Sequence, residues 1–270
     1  MKAINERQKK VLEEMRIDCE KVTNKITAFL RDYFAKCKRK KATLGLSGGL
    51  DSAAVAALCV KALGVENVNV LKLTYRSPWC QESIHDADLV INTLGLLSEN
   101  VFQRDINKAV DAIVEDRLNK IRLGNIMARV RMTYLYDFAP KHDGLVIGTS
   151  NKSEFLLGYF TRWGDGAADL EPIIDLYKTQ VFQLARHLNI PDGIIRKIPT
   201  ADLWQGQTDE GEIGYPYNLL DVLLFLAFDR GMSRKELLNY GFKRADIDRI
   251  IGRVNANEFK RKPIPVCKIN

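Results

Sequence analysis

The chain has 270 residues, 46% of them hydrophobic, and carries a net charge of +7, so it can bury a substantial core and suits an anionic partner without choosing among nucleic acid, a nucleotide and a dinucleotide. No segment reads as a signal peptide or as an uncharged apolar run long enough to cross a bilayer, which leads to a cytoplasmic expectation. Five cysteines, odd in number and without Cys-x-x-Cys spacing, exclude a disulfide framework and a zinc knuckle, leaving free thiols as the reading.

With no repeat and no Pro/Gly/Ser-rich linker, residues 1–270 read as one domain: an N-terminal helical segment (1–41), an α/β core (42–214), and C-terminal helices and tail (215–270). Val11, Leu12, Met15, Ile17, Val22, Ile26, Phe29, Leu30 and Phe34 predict one long or interrupted helix from Ala3 to Ala35. The basic run Lys36, Lys38, Arg39, Lys40 and Lys41 follows, where it meets the negative pole of that helix and faces water.

Thr43, Leu44 and Leu46 read as the end of a buried strand, Gly48 and Gly49 as a tight turn, and Ser52 to Val60 as a buried helix. A glycine loop opening onto a helix N-terminus presents unpaired amides at the positive pole, and its expected guest is phosphate. Asp51 is the one anion in that loop, which makes sense if a cation lies between it and phosphate, so it is a candidate Mg²⁺ ligand. A helix N-cap is the plainer alternative. The loop is neither a Walker A motif nor Gly-x-Gly-x-x-Gly. Ser47-Gly-Gly-Leu-Asp-Ser52 instead resembles the Ser-Gly-Gly-x-Asp-Ser loop of the ATP pyrophosphatase (PP-loop) superfamily, whose members cut ATP to AMP and pyrophosphate.

Strands are further predicted at Val68–Leu73, Val101–Phe102 and Gly144–Gly148, with helices over Gln81–Leu94, Ile106–Leu118 and Asn125–Phe138, the last ended by Pro140. This alternation implies a doubly wound parallel sheet with helices on both faces and ligands at the carboxyl ends of the strands. The C-terminal third is mainly helical, at Tyr177–Leu188, Tyr217–Phe228, Arg234–Tyr240 and Ala245–Val254. The polar stretch Thr200–Gly214 between them reads as a long loop, and such loops are often lids. His85, His142 and His187 are scattered and read as surface or structural residues.

Gly148-Thr-Ser-Asn-Lys-Ser-Glu154 is a second strand-to-helix turn with a carboxylate in the new helix. If its strand neighbours the first, Thr149 and Glu154 reach the same triphosphate and metal as Asp51; simple capping around Ser150 and Glu154 is the alternative. Together with Asn125–Met132, Gly158–Pro172, Leu176–Val181, Pro199–Trp204, Gln207–Gly214 and Phe259–Pro263, these segments resemble the ammonia-dependent NAD⁺ synthetase family from about residue 42 to 263.

That resemblance implies adenylation of the nicotinate carboxylate of deamido-NAD⁺ by ATP and Mg²⁺, release of pyrophosphate, and displacement of AMP by ammonia. It assigns ATP contacts to Gly45, Leu46, Ser47, Gly48, Gly49, Leu50, Asp51, Ser52, Thr149, Lys178 and Thr200, and magnesium to Asp51 and Glu154. Asp51, Lys178 and Thr200 are the implied catalytic residues. Arg131, Arg162, Asp169, Phe259 and Lys260 are the implied deamido-NAD⁺ contacts, with Asp165 nearby and Tyr136 as a stacking surface. Arg162 stands where the family pattern has lysine, and Tyr75–Gln81, the implied active-site flap, is not a close match. A homodimer is implied, with part of its interface on the Asn125 helix. The resemblance fills the 270 residues and leaves no room for the amidase domain of glutamine-dependent relatives, so free ammonia is the expected donor; nucleic acid and membrane are not expected partners. Two other readings are an RNA-modifying PP-loop enzyme and a non-catalytic adenine-nucleotide sensor. The first expects an added RNA-binding domain or thiol pair; the second would not require Asp51, Glu154 and Lys178 together.

Overall fold

The computed structural model describes residues 4–75, 80–115 and 119–269, the side chains of 80 and 81 excepted. The N-terminal periodicity resolves into two helices, α1 (Glu6–Glu14) and α2 (Cys19–Cys37). The interruption has a local cause: Asn5 and Gln8 close a capping box on α1, while Asp18 accepts the Lys21 amide and starts α2 afresh. Ile26, Leu30 and Phe34 then bury the inner face of α2 at a spacing of one turn.

The core alternates strand and helix: β1 (Lys41–Gly45), α3 (Leu50–Leu63), β2 (Val68–Thr74), α4 (Cys80–Leu94), β3 (Val101–Asp105), α5 (Asn107–Asp111), α6 (Lys120–Lys141) and β4 (Gly144–Val146). Among the described residues the sheet has four strands in the order β3-β2-β1-β4, and every pairing is parallel. Helices α2, α3 and α4 pack one face around Leu30, Leu44, Leu58 and Val70, whereas α5 and α6 cover the other around Ile106, Met127 and Val130. Helix α3, apolar from Ala53 to Val60 and buried from Ser52 to Cys59, lies between the sheet and α2.

Three expectations change here. The Ile106–Leu118 helix is only α5: Asp105 accepts the Asn107 amide at 2.6 Å to start it, and Ile113 is 57% exposed, so burial does not carry the pattern onward. Residues 116–118 lie outside the described residues. Pro140 does not end α6 but sits in its last turn, one residue before the helix closes at Lys141.

The C-terminal half adds α7 (Lys152–Leu157), α8 (Lys178–His187), α9 (Asp192–Arg196), α10 (Asp209–Ile213), α11 (Tyr217–Leu224), α12 (Arg234–Asn239), α13 (Arg244–Ala256) and α14 (Glu258–Arg261). The third change is that Thr200–Gly214 contains α10, capped by Thr208 and closed by Gly214 at φ +70°. A helix with i→i+5 bonding, Phe225–Asp229, continues α11. Helices α11 and α13 meet α1 in a second apolar cluster around Leu157, Leu220, Leu223 and Ile250.

Of the five cysteines, Cys19, Cys37, Cys59 and Cys267 are free thiols, and the side chain of Cys80 is outside the described residues. His142 stacks on Phe138 at 3.9 Å between ring centroids, a packing role. No helix among the described residues is long and apolar enough to cross a membrane.

Candidate active site

The sheet order reverses between β1 and β4, whose carboxyl ends therefore splay apart into a crevice. Into it β1 delivers the Ser47–Ser52 loop and β4 delivers Thr149 and, on α7, Glu154. Gly48 adopts φ +76°, and a Cβ there would lie 2.6 Å from the Ser83 carbonyl oxygen, so only glycine makes this turn against α4. Gly49 caps α3 through its backbone, leaving the α3 amides without a side-chain cap. Ser47 Oγ accepts the Gly49 amide at 3.2 Å, and Ser52 Oγ donates to the Gly49 carbonyl at 3.0 Å. These bonds hold the loop open as a cradle at the positive pole of a 14-residue helix.

At the mouth of the cradle, Lys178 Nζ donates to Asp51 Oδ2 at 2.5 Å and to Glu154 Oε1 at 3.2 Å. Asn151 Nδ2 donates to Asp51 Oδ1 at 3.1 Å, and its Oδ1 accepts the Glu154 amide, so one side chain ties both acids together. Behind them stands Asp209 of α10, 3% exposed, accepting from Tyr217 Oη at 3.1 Å and Tyr159 Oη at 3.3 Å. Burial alone would pull the Lys178 ammonium down, but Asp51, Glu154 and Asp209 outweigh it and hold it above its ordinary 10.5. Burial pushes the Glu154 carboxyl up to about 8 against the pull of Lys178, with Asp51 and Asp209 adding to the rise. Burial likewise raises Asp209. Three acids thus share one lysine in a desolvated place, leaving an excess of negative charge.

A cavity of about 760 Å³ opens over this cluster, ample for a nucleotide. Its walls include Gly45, Leu46, Ser47, Gly49, Leu50, Asp51, Thr149, Glu154, Lys178 and Thr200, and also Arg131 and Lys260. Gly48 and Ser52 lie behind the wall as the turn and its clasp. The segment 200–208 closes one side: Asp202 accepts from Ser83 Oγ at 2.6 Å, and Leu203 packs where a side chain at Gly124 would stand.

The structure does not bring all five implied dinucleotide residues into this cavity. Arg131 donates from Nε to the Leu73 carbonyl at 3.1 Å, and Lys260 donates to the carbonyls of Gly158 and Phe160 at 2.7 and 3.0 Å. Arg162 instead borders a neighbouring hollow of about 290 Å³, with its guanidinium carbon 4.9 Å from the Trp163 ring centroid and 5.8 Å from that of Phe259. Asp169 turns to the sheet end, accepting the Val146 amide at 2.7 Å and Tyr136 Oη at 3.5 Å. Phe259 is 56% exposed. Tyr136 is half-buried and its phenol is pushed up to about 12 by burial and by Asp169. Asp165 accepts the Thr161 amide at 2.9 Å. The flap expectation falls on residues 76–79, outside the described residues.

Sequence reasoning carried Asn151 and Tyr159 only inside longer motifs and missed Arg253; all three line or brace the cavity. It noted Asp209 and Glu171 only as parts of longer motifs; burial pushes the Glu171 carboxyl up to about 7 while it accepts the Ser150 amide at 3.1 Å. Glu171 explains Gly148: a Cβ there would collide with that carboxylate. Asn151 had a local signal only as the cap of α7, three residues before Glu154; its bond to Asp51 and the Tyr159–Asp209 and Ser150–Glu171 bonds span 100, 50 and 21 residues and had none.

A parallel sheet with a Ser-Gly-Gly-x-Asp-Ser loop over a helix N-terminus at the switch point defines an α/β nucleotide-binding protein of the PP-loop class. Comparison with known proteins narrows this. The NAD synthase family model matches residues 22–264. The chain is 43% identical over 247 residues to the NH3-dependent NAD⁺ synthetase of Chlorobium phaeobacteroides, covering 91% of this chain and 88% of that one. It superposes on NMN synthetase from Francisella tularensis with a TM-score of 0.80 and 32% identity, covering 94% of this chain and 100% of that one. It superposes on NH3-dependent NAD synthetase from Campylobacter jejuni, solved with a nitrate ion, with a TM-score of 0.76 and 33% identity over 93% and 100% of the two chains. The chain belongs to the NAD synthase family.

Proposed function

We propose that this protein catalyses the ATP-dependent amidation of deamido-NAD⁺ to NAD⁺ with ammonia, a ligase reaction that ends NAD⁺ biosynthesis. The observation that carries the reading is the Lys178 ammonium bonded to both Asp51 and Glu154 at the mouth of the Ser47–Ser52 cradle. The cradle amides and the Ser47 hydroxyl bind the ATP phosphates, with Ser52 clasping the loop from behind and Thr149 and Thr200 as further contacts on the cavity wall. A nicotinate carboxylate oxygen attacks the α-phosphorus and the bond to the pyrophosphate oxygen breaks. Lys178 follows the charge that moves onto the departing oxygen, since its flexible ammonium swings among acceptors. Ammonia then attacks the acyl carbon, the bond to AMP breaks, and a proton is lost. A carboxylate resists amine attack at neutral pH, and AMP as leaving group removes that obstacle.

Magnesium fits these residues. Asp51 and Glu154 form an all-oxygen donor pair that reaches one cation, and the excess negative charge around Lys178 invites another. No group of three or more His, Cys, Asp or Glu among the described residues suits a metal by itself, so phosphate oxygens and water would complete the shell. The metal would supply charge neutralisation at the phosphates.

Arg131 and Lys260, as cavity-lining cations, suit the anionic dinucleotide, and Arg162, Asp169 and Phe259 extend the same face outward. Residues 1–270 act as one unit in this reading, because the cavity draws on the loop at 45–51 and also on Arg253 and Lys260 in the last third. A homodimer, a cytoplasmic location and free ammonia complete the proposal; Ile121 on α6, 68% exposed, is apolar surface suited to an interface. The test measures NAD⁺, AMP and pyrophosphate from deamido-NAD⁺, ATP, Mg²⁺ and ammonium, beside Asp51→Ala. The mononucleotide half of the acceptor runs in parallel, because one similar structure is an NMN synthetase. NAD⁺ formed in step with AMP, and lost in the variant, supports the reading; ATP binding without amidation of the dinucleotide refutes it.

A further inference from the structure

We infer that Asp221 is a positioning residue for Lys178, fixing the first turns of α7 and α8 so that the lysine ammonium meets Asp51 and Glu154 together. The inference rests on the role given above to Lys178. Asp221 is 0% exposed and lies on α11, the apolar helix YNLLDVLL, where a leucine would satisfy the pattern at less desolvation cost. Both of its oxygens are committed. Oδ1 accepts from Ser153 Oγ at 2.6 Å, and Oδ2 accepts the Thr179 amide at 2.8 Å. Ser153 Oγ in turn accepts the Lys178 amide at 2.9 Å.

The first amides of any helix lack an internal partner. Lys178 and Thr179 are the first two residues of α8, and one carboxylate from another helix satisfies both, directly at Thr179 and through Ser153 at Lys178. Its negative charge also sits at the positive pole of α8, where it is favoured. Ser153 immediately precedes Glu154 in the first turn of α7. The same carboxylate therefore fixes the backbone under the lysine and the backbone beside the glutamate, which lie 24 residues apart in sequence.

Asp221 does not line the nucleotide cavity, so any effect on chemistry passes through what it holds. The Lys178 side chain is 3% exposed and reaches acids on two different helices. A small rotation of the first turn of α8 would carry Nζ away from one of them. Misplacement of about 1 Å at such a group costs on the order of a hundredfold in rate. An amide at position 221 cannot accept from both donors: with its oxygen toward the Thr179 amide, its NH₂ faces Ser153 Oγ and reverses that bond.

The experiment is single-turnover pyrophosphate release at saturating ATP, Mg²⁺ and deamido-NAD⁺, normalised to sites counted by ATP titration. Asp221→Asn is expected to lower the rate per site by about tenfold or more, with ATP affinity within about twofold of wild type. In a Lys178→Met background the same substitution is expected to change the residual rate by less than about twofold, since the group it positions is gone. A merely structural role would lower the count of competent sites, or slow both backgrounds equally. Ser153→Ala removes the relay without touching the buried charge, is expected to slow the same step, and carries both comparisons if Asp221→Asn does not fold. A wild-type rate per site in Asp221→Asn, or equal losses in both backgrounds, overturns the inference. A wild-type rate in Lys178→Met overturns the proposed role of Lys178 instead, and the inference with it.

Discussion

Glu154→Gln should make the ligand-free protein more stable and inactive, and the stability gain should depend on pH. In the folded chain the Glu154 carboxyl is pushed from 4.5 up to about 8, chiefly by burial. Below pH 4.5 the group is protonated folded and unfolded alike, and contributes no penalty. Between 4.5 and 8 the unfolded chain ionises while the folded chain keeps its proton, so stability falls with rising pH and levels off above about 8. Full linkage over that span corresponds to about 5 kcal/mol. The side chain is 17% exposed, and relaxation and water entry around it reduce the figure to roughly 2 to 3 kcal/mol. Glutamine keeps an oxygen for the Lys178 ammonium and cannot ionise. Thermal unfolding in chelator at pH 5 and pH 8.5 checks this: the variant should match wild type at pH 5 and unfold about 5 °C higher at pH 8.5. Equal midpoints at pH 8.5, or a less stable variant, would refute the argument that this acid is held at a cost to the fold for the sake of the site.

Gly48→Ala combines a positive φ with a Cβ 2.6 Å from the Ser83 carbonyl and 2.8 Å from Asp86 Cβ, so it should cost about 1–3 kcal/mol and weaken ATP binding. Gly95→Ala, at φ +64° with nothing within 4 Å, is the control for strain alone; calorimetry showing equal ATP affinity in Gly48→Ala would contradict the cradle geometry. The stretch 200–206 is held by Asp202 on Ser83 Oγ, whereas α10 behind it is tied by Asp209 to Tyr159 and Tyr217, and limited proteolysis within 200–206 should slow when ATP and deamido-NAD⁺ are both bound. Equal cleavage with and without them would count against closure. Burial pushes the Cys59 thiol up to about 12, so a thiol reagent at pH 8 should label exposed Cys267 and leave Cys59 untouched until urea unfolds the chain; mass spectrometry reads both.

Much of the fold was legible because its signals are local. The strand, glycine turn and apolar helix at 42–60 are a contiguous pattern, and period and turn chemistry placed all four strands and most helices. Expectations failed where tertiary packing overrode periodicity: at α5, where the apolar stripe runs on but its burial stops, and at Thr200–Gly214, where Thr208 and Gly214 close a short helix within a polar stretch. The candidate site divides in the same way. Ser47 to Ser52 and Asp51 were readable from chemistry and spacing, whereas Lys178, Arg131 and Lys260 came from resemblance.

By itself, then, the sequence determined the alternating α/β pattern and a glycine loop on a helix N-terminus with one aspartate at its end, since these depend on neighbours within a few residues. Only the tertiary structure decided the strand order 3-2-1-4, which sets β4 beside β1 and opens the crevice. It alone decided that Lys178, 127 residues from Asp51, would bond to it, and that Asn151, Asp209 and Asp221 would close around the pair. Such contacts are fixed by how buried layers stack and by where a desolvated charge finds its partner, and no local window of sequence contains that information.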